Sequence, residues 1–205
     1  MKLKEALTEL RKSKERKFNQ SIDIIVNLKG IDVKKENLSS VINVPHVIKE
    51  KKVCGFMAKK SDVIDTILEA GFEKYKDKKA LKNLVKKYDF FVAVAPLMPK
   101  VATVFGKALG PAGKMPSPQL GILPSDNEAV VKGVLDKIAK SIKIRVKEPS
   151  IKTCIGRVNM KDEEIADNFR AFYQGIINML PNKKEQIKNI MLKLTMSKPI
   201  RVEGE

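Results

Sequence analysis

The sequence predicts a mixed α/β and α+β fold in two domains: a discontinuous α+β domain drawn from both termini, with an α/β domain inserted into it. Three observations predict it. The middle of the chain alternates helical and strand patterns, as a wound α/β layer does. Both ends carry strands of period two beside amphipathic helices. Hydrophobic residues make up 43% of the 205 positions, enough for a real core. The patterns place the domains at 1–66 plus 159–205 and at 67–158.

The elements follow in order. Residues 3–17 set Leu3, Ala6, Leu7 and Leu10 at helical spacing among six basic residues, with Lys2 just before them, an amphipathic helix with a basic outer face. Ile22, Ile24, Val26 and Leu28 then alternate with Ser21, Asp23 and Asn27, a half-buried strand that Gly30 ends. Residues 41–48 and 52–58 read as short strands, the first irregular or at an edge because of Pro45. Ser61 and Asp62 open a helix that Gly71 closes, and 78–87 is a Lys-rich helix. The apolar run at 89–96 is a strand buried on both faces. A helix over 97–105 leads into a long ordered loop at 106–124, with four Gly and four Pro. Asp126 or Ser125 caps a helix running to about 140; strands at 141–149 and 150–158 follow. A helix from Asp162 stops at Pro181, and the last strand, 187–196, precedes Pro199 and a short tail.

Charge narrows the function. Lys and Arg number 41 against 24 Asp and Glu, a formal net charge of +17, which means a polyanionic partner, nucleic acid foremost, or lysines that merely serve solubility. Aromatic residues are 5%, with no Trp, so stacking on several aromatic platforms is not the main binding mode. No apolar run reaches the roughly 18 residues of a membrane span, and the first residues lack the apolar block of a secretory signal. Cys54 and Cys154 lack metal-ligand spacing, and His46 is the single histidine. Neither a disulfide scaffold, a zinc site nor a conventional triad is expected, and a reducing cytoplasm fits. No cofactor and no membrane partner are expected, and the free protein is expected to be a monomer.

The glycine-rich loop raises an alternative, a P-loop-like nucleotide-binding enzyme. With Gly113-Lys114 as the Gly-Lys pair, the first Walker glycine falls on Ala108 and the magnesium-holding hydroxyl on Met115. Two key positions fail. Lys107 and Lys114 remain open as contacts to RNA backbone or a partner. A charge-driven DNA-binding protein is the other alternative.

The same stretch carries a resemblance. Ala95-Pro96-Leu97-Met98-Pro99-Lys100, continued by Val104-Phe105-Gly106-Lys107-Ala108-Leu109-Gly110-Pro111-Ala112-Gly113-Lys114-Met115-Pro116-Ser117, resembles the signature of the ribosomal protein L1 family in its archaeal form. Lys17-Phe18 with Ser21, Asp162-Glu163-Glu164-Ile165 and Thr195-Met196-Ser197-Lys198 agree in order, so the resemblance spans essentially the whole chain. It implies a Rossmann-like inserted domain on two hinge strands. It implies a structural, non-catalytic protein of the cytoplasmic large ribosomal subunit that binds ribosomal RNA at the mobile stalk. It further implies transient contact with deacylated tRNA leaving the exit site, and repression of translation through a similar structure in the protein's own mRNA. The family's RNA-contacting residues, carried over by position, are Phe18, Ser21, Thr195 and Met196, with Ser197 where bacterial members have Gly and Asn189 at a polar position.

Strand parity gives these residues a common geometry. With Ile22, Ile24, Val26 and Leu28 inward, Ser21 and Asp23 point outward. In the last strand Asn189, Lys193 and Thr195 share the parity opposite to the apolar Ile190, Leu192 and Leu194. One face would then hold hydroxyls, an amide and a carboxylate, groups suited to 2′-hydroxyls and base edges. Lys17 and Lys198 would contact phosphates beside it, as would Lys12 and Lys14. Set against this, Phe18 reads equally as a core anchor, and Met196 shares the core parity. His46 reads as structural, and the two cysteines as buried thiols.

Overall fold

A computed structural model describes residues 1–12, 14, 16–31, 38–75, 77–118, 120–146 and 148–203. The elements in chain order are α1 (Leu3–Arg11), β1 (Ser21–Leu28), β2 (Ser39–Asn43), β3 (Val53–Met57), β4 (Asp65–Leu68), α2 (Lys78–Lys87), β5 (Phe90–Val94), α3 (Met98–Ala112), β6 (Ile122–Leu123), α4 (Glu128–Ala139), β7 (Ser141–Arg145), β8 (Ser150–Arg157), α5 (Asp162–Met179), β9 (Ile187–Leu194) and β10 (Ile200–Val202). They form two compact units, 1–48 with 140–205, and 49–139.

In the terminal unit a four-stranded sheet runs β10-β9-β1-β8, every pairing antiparallel. A separate pair, β2 and β7, is also antiparallel. The strict alternation of β1 buries Ile22, Ile24, Val26 and Leu28, while β9 buries Ile190, Leu192 and Leu194 on the same side. Against this side pack Leu3, Leu7 and Leu10 of α1, and Phe169, Phe172 and Ile176 of α5. Burying side chains of this size contributes about 1.5–3 kcal/mol each. The start of α5 is acidic at Asp162, Glu163 and Glu164, complementing the helix dipole. Asn168, wholly buried, accepts the His46 N–H at 3.0 Å and donates to the carbonyls of His46 and Ile155. That fixes the chain beyond β2, so His46 is held through its backbone.

In the inserted unit the sheet runs β4-β3-β5-β6, all parallel. Its central strands β3 and β5 are buried on both sides, as in parallel sheets, and β4 is a more exposed edge. Phe91 and Ala93 of β5 face one cluster with Phe56, Leu81, Phe105 and Leu109; Val92 and Val94 face another with Met57, Leu123, Val131 and Ile138. α2 and α3 cover one side and α4 the other.

Several expectations change. The unit limits fall at 48/49 and 139/140, not near 66 and 158. The reason is pairing: β3 and β4 belong to the parallel sheet, whereas β8 pairs with β1. The helix expected from Ser61 is a strand, Asp65–Leu68, followed by a 3-10 helix, Glu69–Tyr75, that contains Gly71. Pairing with β3 overrides a helical spacing in which Ile67 is buried but Leu68 exposed. The helix expected to end at 105 continues to Ala112, because Val101, Phe105 and Leu109 form one buried stripe. Pro111 lies in its last turn, where one lost hydrogen bond is tolerable, and Gly113 ends it at φ +69°. Asn127, rather than Asp126 or Ser125, accepts at the start of α4, from the Ala129 N–H. The first helix stops at Arg11 rather than 17, and β2 is confined to Ser39–Asn43.

Candidate nucleic-acid interface

One face of the terminal sheet is covered by helices. The other carries the residues that alternation turns outward. On β1 these are Ser21, Asp23, Ile25 and Asn27, and on β9 Asn189, Met191 and Lys193, all half-buried. The register sets Asp23 opposite Lys193, Ile25 opposite Met191 and Asn27 opposite Asn189. Directly opposed residues share a face. The Asn27 amide donates to Asn189 Oδ1 at 2.7 Å.

At the other end of this face Thr195 meets Ser21. The Ser21 N–H donates to Thr195 Oγ1 at 3.0 Å, and the Thr195 N–H returns to the Ser21 carbonyl at 3.2 Å. The two hydroxyl oxygens are 3.1 Å apart, and Ser21 Oγ is 2.8 Å from Asp23 Oδ1. An ionised carboxylate only accepts, so the Ser21 hydroxyl hydrogen points to Asp23. Thr195 must then be the donor between the hydroxyls. The relay is complete and directional, ending on a carboxylate with further acceptor sites open to a ligand's hydroxyl or amino group. Asp23 is therefore engaged by a hydroxyl and sits across from an ammonium, which lessens its repulsion of phosphate.

Thr195 and Met196 lie beyond β9, which ends at Leu194. Ser197 makes the turn: its N–H donates to the Leu194 carbonyl at 3.2 Å, its hydroxyl accepts the Leu194 N–H at 2.8 Å, and that hydroxyl donates to the Lys198 carbonyl at 3.1 Å. Among the described residues Lys183 is the only non-glycine with positive φ, so Ser197 occupies this turn without left-handed strain. Its hydroxyl serves the turn, so it shapes the surface from within.

Leaving the strand changes the fate of Met196. Parity would bury it, yet it is 62% exposed, its N–H held by Gln20 Oε1 at 3.2 Å. Phe18 is 52% exposed and anchors no core. Two large apolar side chains thus stand in solvent near the hydroxyl pair along the chain, Phe18 three residues before Ser21 and Met196 next to Thr195, and Lys17, Lys198, Lys12 and Lys14 are exposed as well.

Two contributors were not singled out from the sequence. Arg157 of β8 stands opposite Ser21, and Asn27 completes the amide pair with Asn189. Period-two alternation marks Asn27 as outward-facing, whereas Arg157 shares the parity of the buried Ile151 and Ile155 and turns outward only through the register shift between Ile22 and Asp23; no single-chain pattern shows that shift, or that β8 lies beside β1. Cys154 lies opposite Asp23, where burial pushes its thiol pKa up. The face therefore carries a neutral thiol there.

The glycine-rich segment offers no phosphate cradle. Lys114 Nζ donates to the carbonyls of Val85 and Tyr88, at 2.7 and 2.8 Å, and so closes the C-terminus of α2. The first part of the segment expected to be a loop, through Ala112, is helix α3. Among the described residues no group of three or more His, Cys, Asp or Glu is arranged to hold a metal ion. Among the described residues no helix is long and apolar enough to cross a membrane.

Comparison with known proteins gives a consistent result. The model of the ribosomal protein L1p/L10e family matches residues 10–198. Large ribosomal subunit protein uL1 of Pyrococcus horikoshii is 34% identical over 215 residues, covering 99% of this chain and 96% of that protein. The protein of the same name from Thermofilum pendens is 37% identical, covering 99% and 92%. That of Thermococcus kodakarensis is 35% identical, covering 98% and 97%.

Proposed function

Because the chain belongs to the ribosomal protein L1p/L10e family, we propose that it is a structural, non-catalytic protein of the cytoplasmic large ribosomal subunit, and that it holds ribosomal RNA on the outward face of its terminal unit. The observation that carries this reading is the Ser21–Thr195 hydroxyl pair, locked by hydrogen bonds from both backbone N–H groups, with exposed Phe18 and Met196 close by in the chain. Preformed donors and acceptors read 2′-hydroxyls and base edges, and the two apolar side chains pack on sugars or bases. Asp23, Asn189 and Lys193 extend the polar surface, Ser197 sets the turn, and Lys17, Lys198 and Arg157 neutralise phosphates.

The same preformed face would accept any RNA that presents the same shape. On that ground the reading includes binding at the mobile stalk, passing contact with deacylated tRNA at the exit site, and repression through a mimic in the protein's own mRNA. The free protein acts as a monomer.

The test is binding to a transcript of the large-subunit stalk RNA. Thr195→Ala and Met196→Ala each weaken it by about 1–3 kcal/mol with the fold intact. Unchanged affinity in both rejects the site. Competition with duplex DNA at fixed salt checks the charge-driven alternative: binding there depends steeply on salt and shows no preference for RNA.

A further inference from the structure

Beside the sheet face, at the end away from Thr195, the terminal unit holds a recess of about 370 Å³ between β7 and β8. Its polar lining includes Lys143, Arg145, Glu148, Ser150 and Lys152. Among the described lining residues three carry cations and one, Glu148, a carboxylate that lies 3.4 Å from Lys152. Lys143 and Arg145 alternate on β7 with the buried Ile142 and Ile144, so both point away from the core. They crowd one another: burial lowers the Lys143 pKa, and the like charge of Arg145 lowers it further. The Ser150 hydroxyl oxygen is buried and meets no hydrogen-bonding partner among the described residues. A buried hydroxyl in that state is costly unless a ligand or solvent completes it.

Register ties the recess to the RNA surface. Ser150 stands opposite Asn27, which bonds Asn189 in the next strand. From Ser21 to Asn27 is six residues of strand, ~20 Å at ~3.3 Å per residue. The polar face thus runs from the hydroxyl pair at one end to Ser150 at the other, and the recess opens there.

We propose that the recess is a phosphodiester subsite, in which Lys143 and Arg145 neutralise one backbone phosphate of the bound RNA and the Ser150 hydroxyl donates to one of its oxygens. The proposal rests on the reading of the terminal unit as an RNA surface. An RNA backbone fits better than an unrelated free anion because the recess continues that surface, and because a guanidinium beside an ammonium and a neutral donor matches the several oxygens of a phosphate.

The test uses the full chain and the stalk transcript, with affinity followed from 0.1 to 0.5 M KCl. The double variant Lys143→Gln, Arg145→Gln is expected to lose about one unit of the log–log salt slope, the share of a single phosphate, and to bind roughly tenfold more weakly at low salt. Ser150→Ala is expected to weaken binding several-fold with the slope unchanged, since it removes a neutral donor. Lys137→Gln, an exposed charge of the inserted unit, is the control and leaves the slope alone. Thermal melts confirm that each variant folds. A double variant indistinguishable from the wild type, or a control that lowers the slope equally, overturns the subsite. Should the wild-type chain show no preference for the transcript over duplex DNA, the RNA reading itself fails. Inorganic phosphate then decides the recess separately. A shift of the Ser150 amide resonance that Arg145→Gln abolishes keeps the anion site, and no shift removes it.

Discussion

Single side chains decide between readings that the sequence leaves open. Lys114 fits a nucleotide loop by its neighbours Gly113 and Met115 only in part, and its ammonium is occupied by two carbonyls at the end of α2. Lys114→Ala should therefore cost about 1–3 kcal/mol of stability, by leaving those acceptors uncapped. Chemical denaturation measures it, and ATP titration should show no binding to wild type or variant. The position of Met196 was not legible from alternation, because alternation assumes that the strand continues. What stops it is the Ser197 turn, built from bonds to Leu194 and Lys198. Asp23 and Asn189, by contrast, were placed on the outer face by parity alone. Lys51 supplies a pH signature. Its Nζ donates to the Ile138 carbonyl at 2.6 Å and lies 5.2 Å from the centre of the Phe90 ring. Burial holds its pKa down at about 8, against an ordinary 10.5, with Asp89 partly offsetting. Between pH 8 and 10.5 the unfolded chain keeps a proton that the folded chain releases. Unfolding then takes up a proton, so this group makes the fold more stable as pH rises through that window, and contributes no slope below it. Relative to Lys51→Met, the wild type should gain on the order of 2 kcal/mol across the window, allowing for partial exposure. Urea melts at a series of pH values would show it, and a constant difference would refute it.

Elements were legible where their period persists for many residues. α2, α4 and α5 follow from apolar spacing, and β1 from an alternation that only Ile25 interrupts. The short ones were not. β4 has four residues and β6 two, too few for a period to declare itself, and β10 has three, next to Pro199. Each exists because a longer strand offers it a ladder: β3 for β4, β5 for β6 and β9 for β10. α3 was underread for the opposite reason. Gly106, Gly110 and Pro111 suggest a loop, but a buried stripe from Val101 to Leu109 outweighs glycine costs of about 1 kcal/mol each. Packing between elements also explains a glycine inside α5. A Cβ on Gly175 would come within 2.7–2.9 Å of three side-chain atoms of Ile42 in β2. The helix accepts glycine so that β2 can approach. Gly175→Ala should lower stability by about 1–3 kcal/mol despite alanine's better helix propensity. Thermal unfolding checks this, and a stabilised variant would show that β2 moves aside freely.

At the scale of the molecule, the discontinuous organisation was legible but its limits were not. The sequence shows strands at both ends and alternating layers between them; it does not show which strand pairs with which. β8 looks like part of the middle until its register with β1 is known, and β3 looks like part of the beginning until it is seen beside β5. Pairing over more than a hundred positions leaves no local mark. The same pairing makes the terminal unit depend on both halves of the chain. β1 lies between β8 and β9, both from after the inserted unit, so residues 1–48 alone have no partners for their central strand. The inserted unit is continuous, with its own parallel sheet and clusters on either side of it. Where the chain leaves the terminal unit and returns, its ends are neighbours. Asn43 pairs with Ser141, and the Val44 N–H donates to the Lys140 carbonyl at 2.7 Å. A short glycine–serine bridge can therefore join residue 48 to residue 140, at a closure entropy that grows only slowly with loop length. The shortened chain should fold cooperatively and keep the Ser21–Thr195 surface, so it should bind the stalk transcript within about tenfold of the full chain, a loss of ~1.4 kcal/mol or less. Calorimetry and RNA titration of that chain check both halves of the expectation. A folded chain that has lost its affinity would place the recognition surface outside the terminal unit, whereas every residue proposed for it lies within residues 1–48 and 140–205.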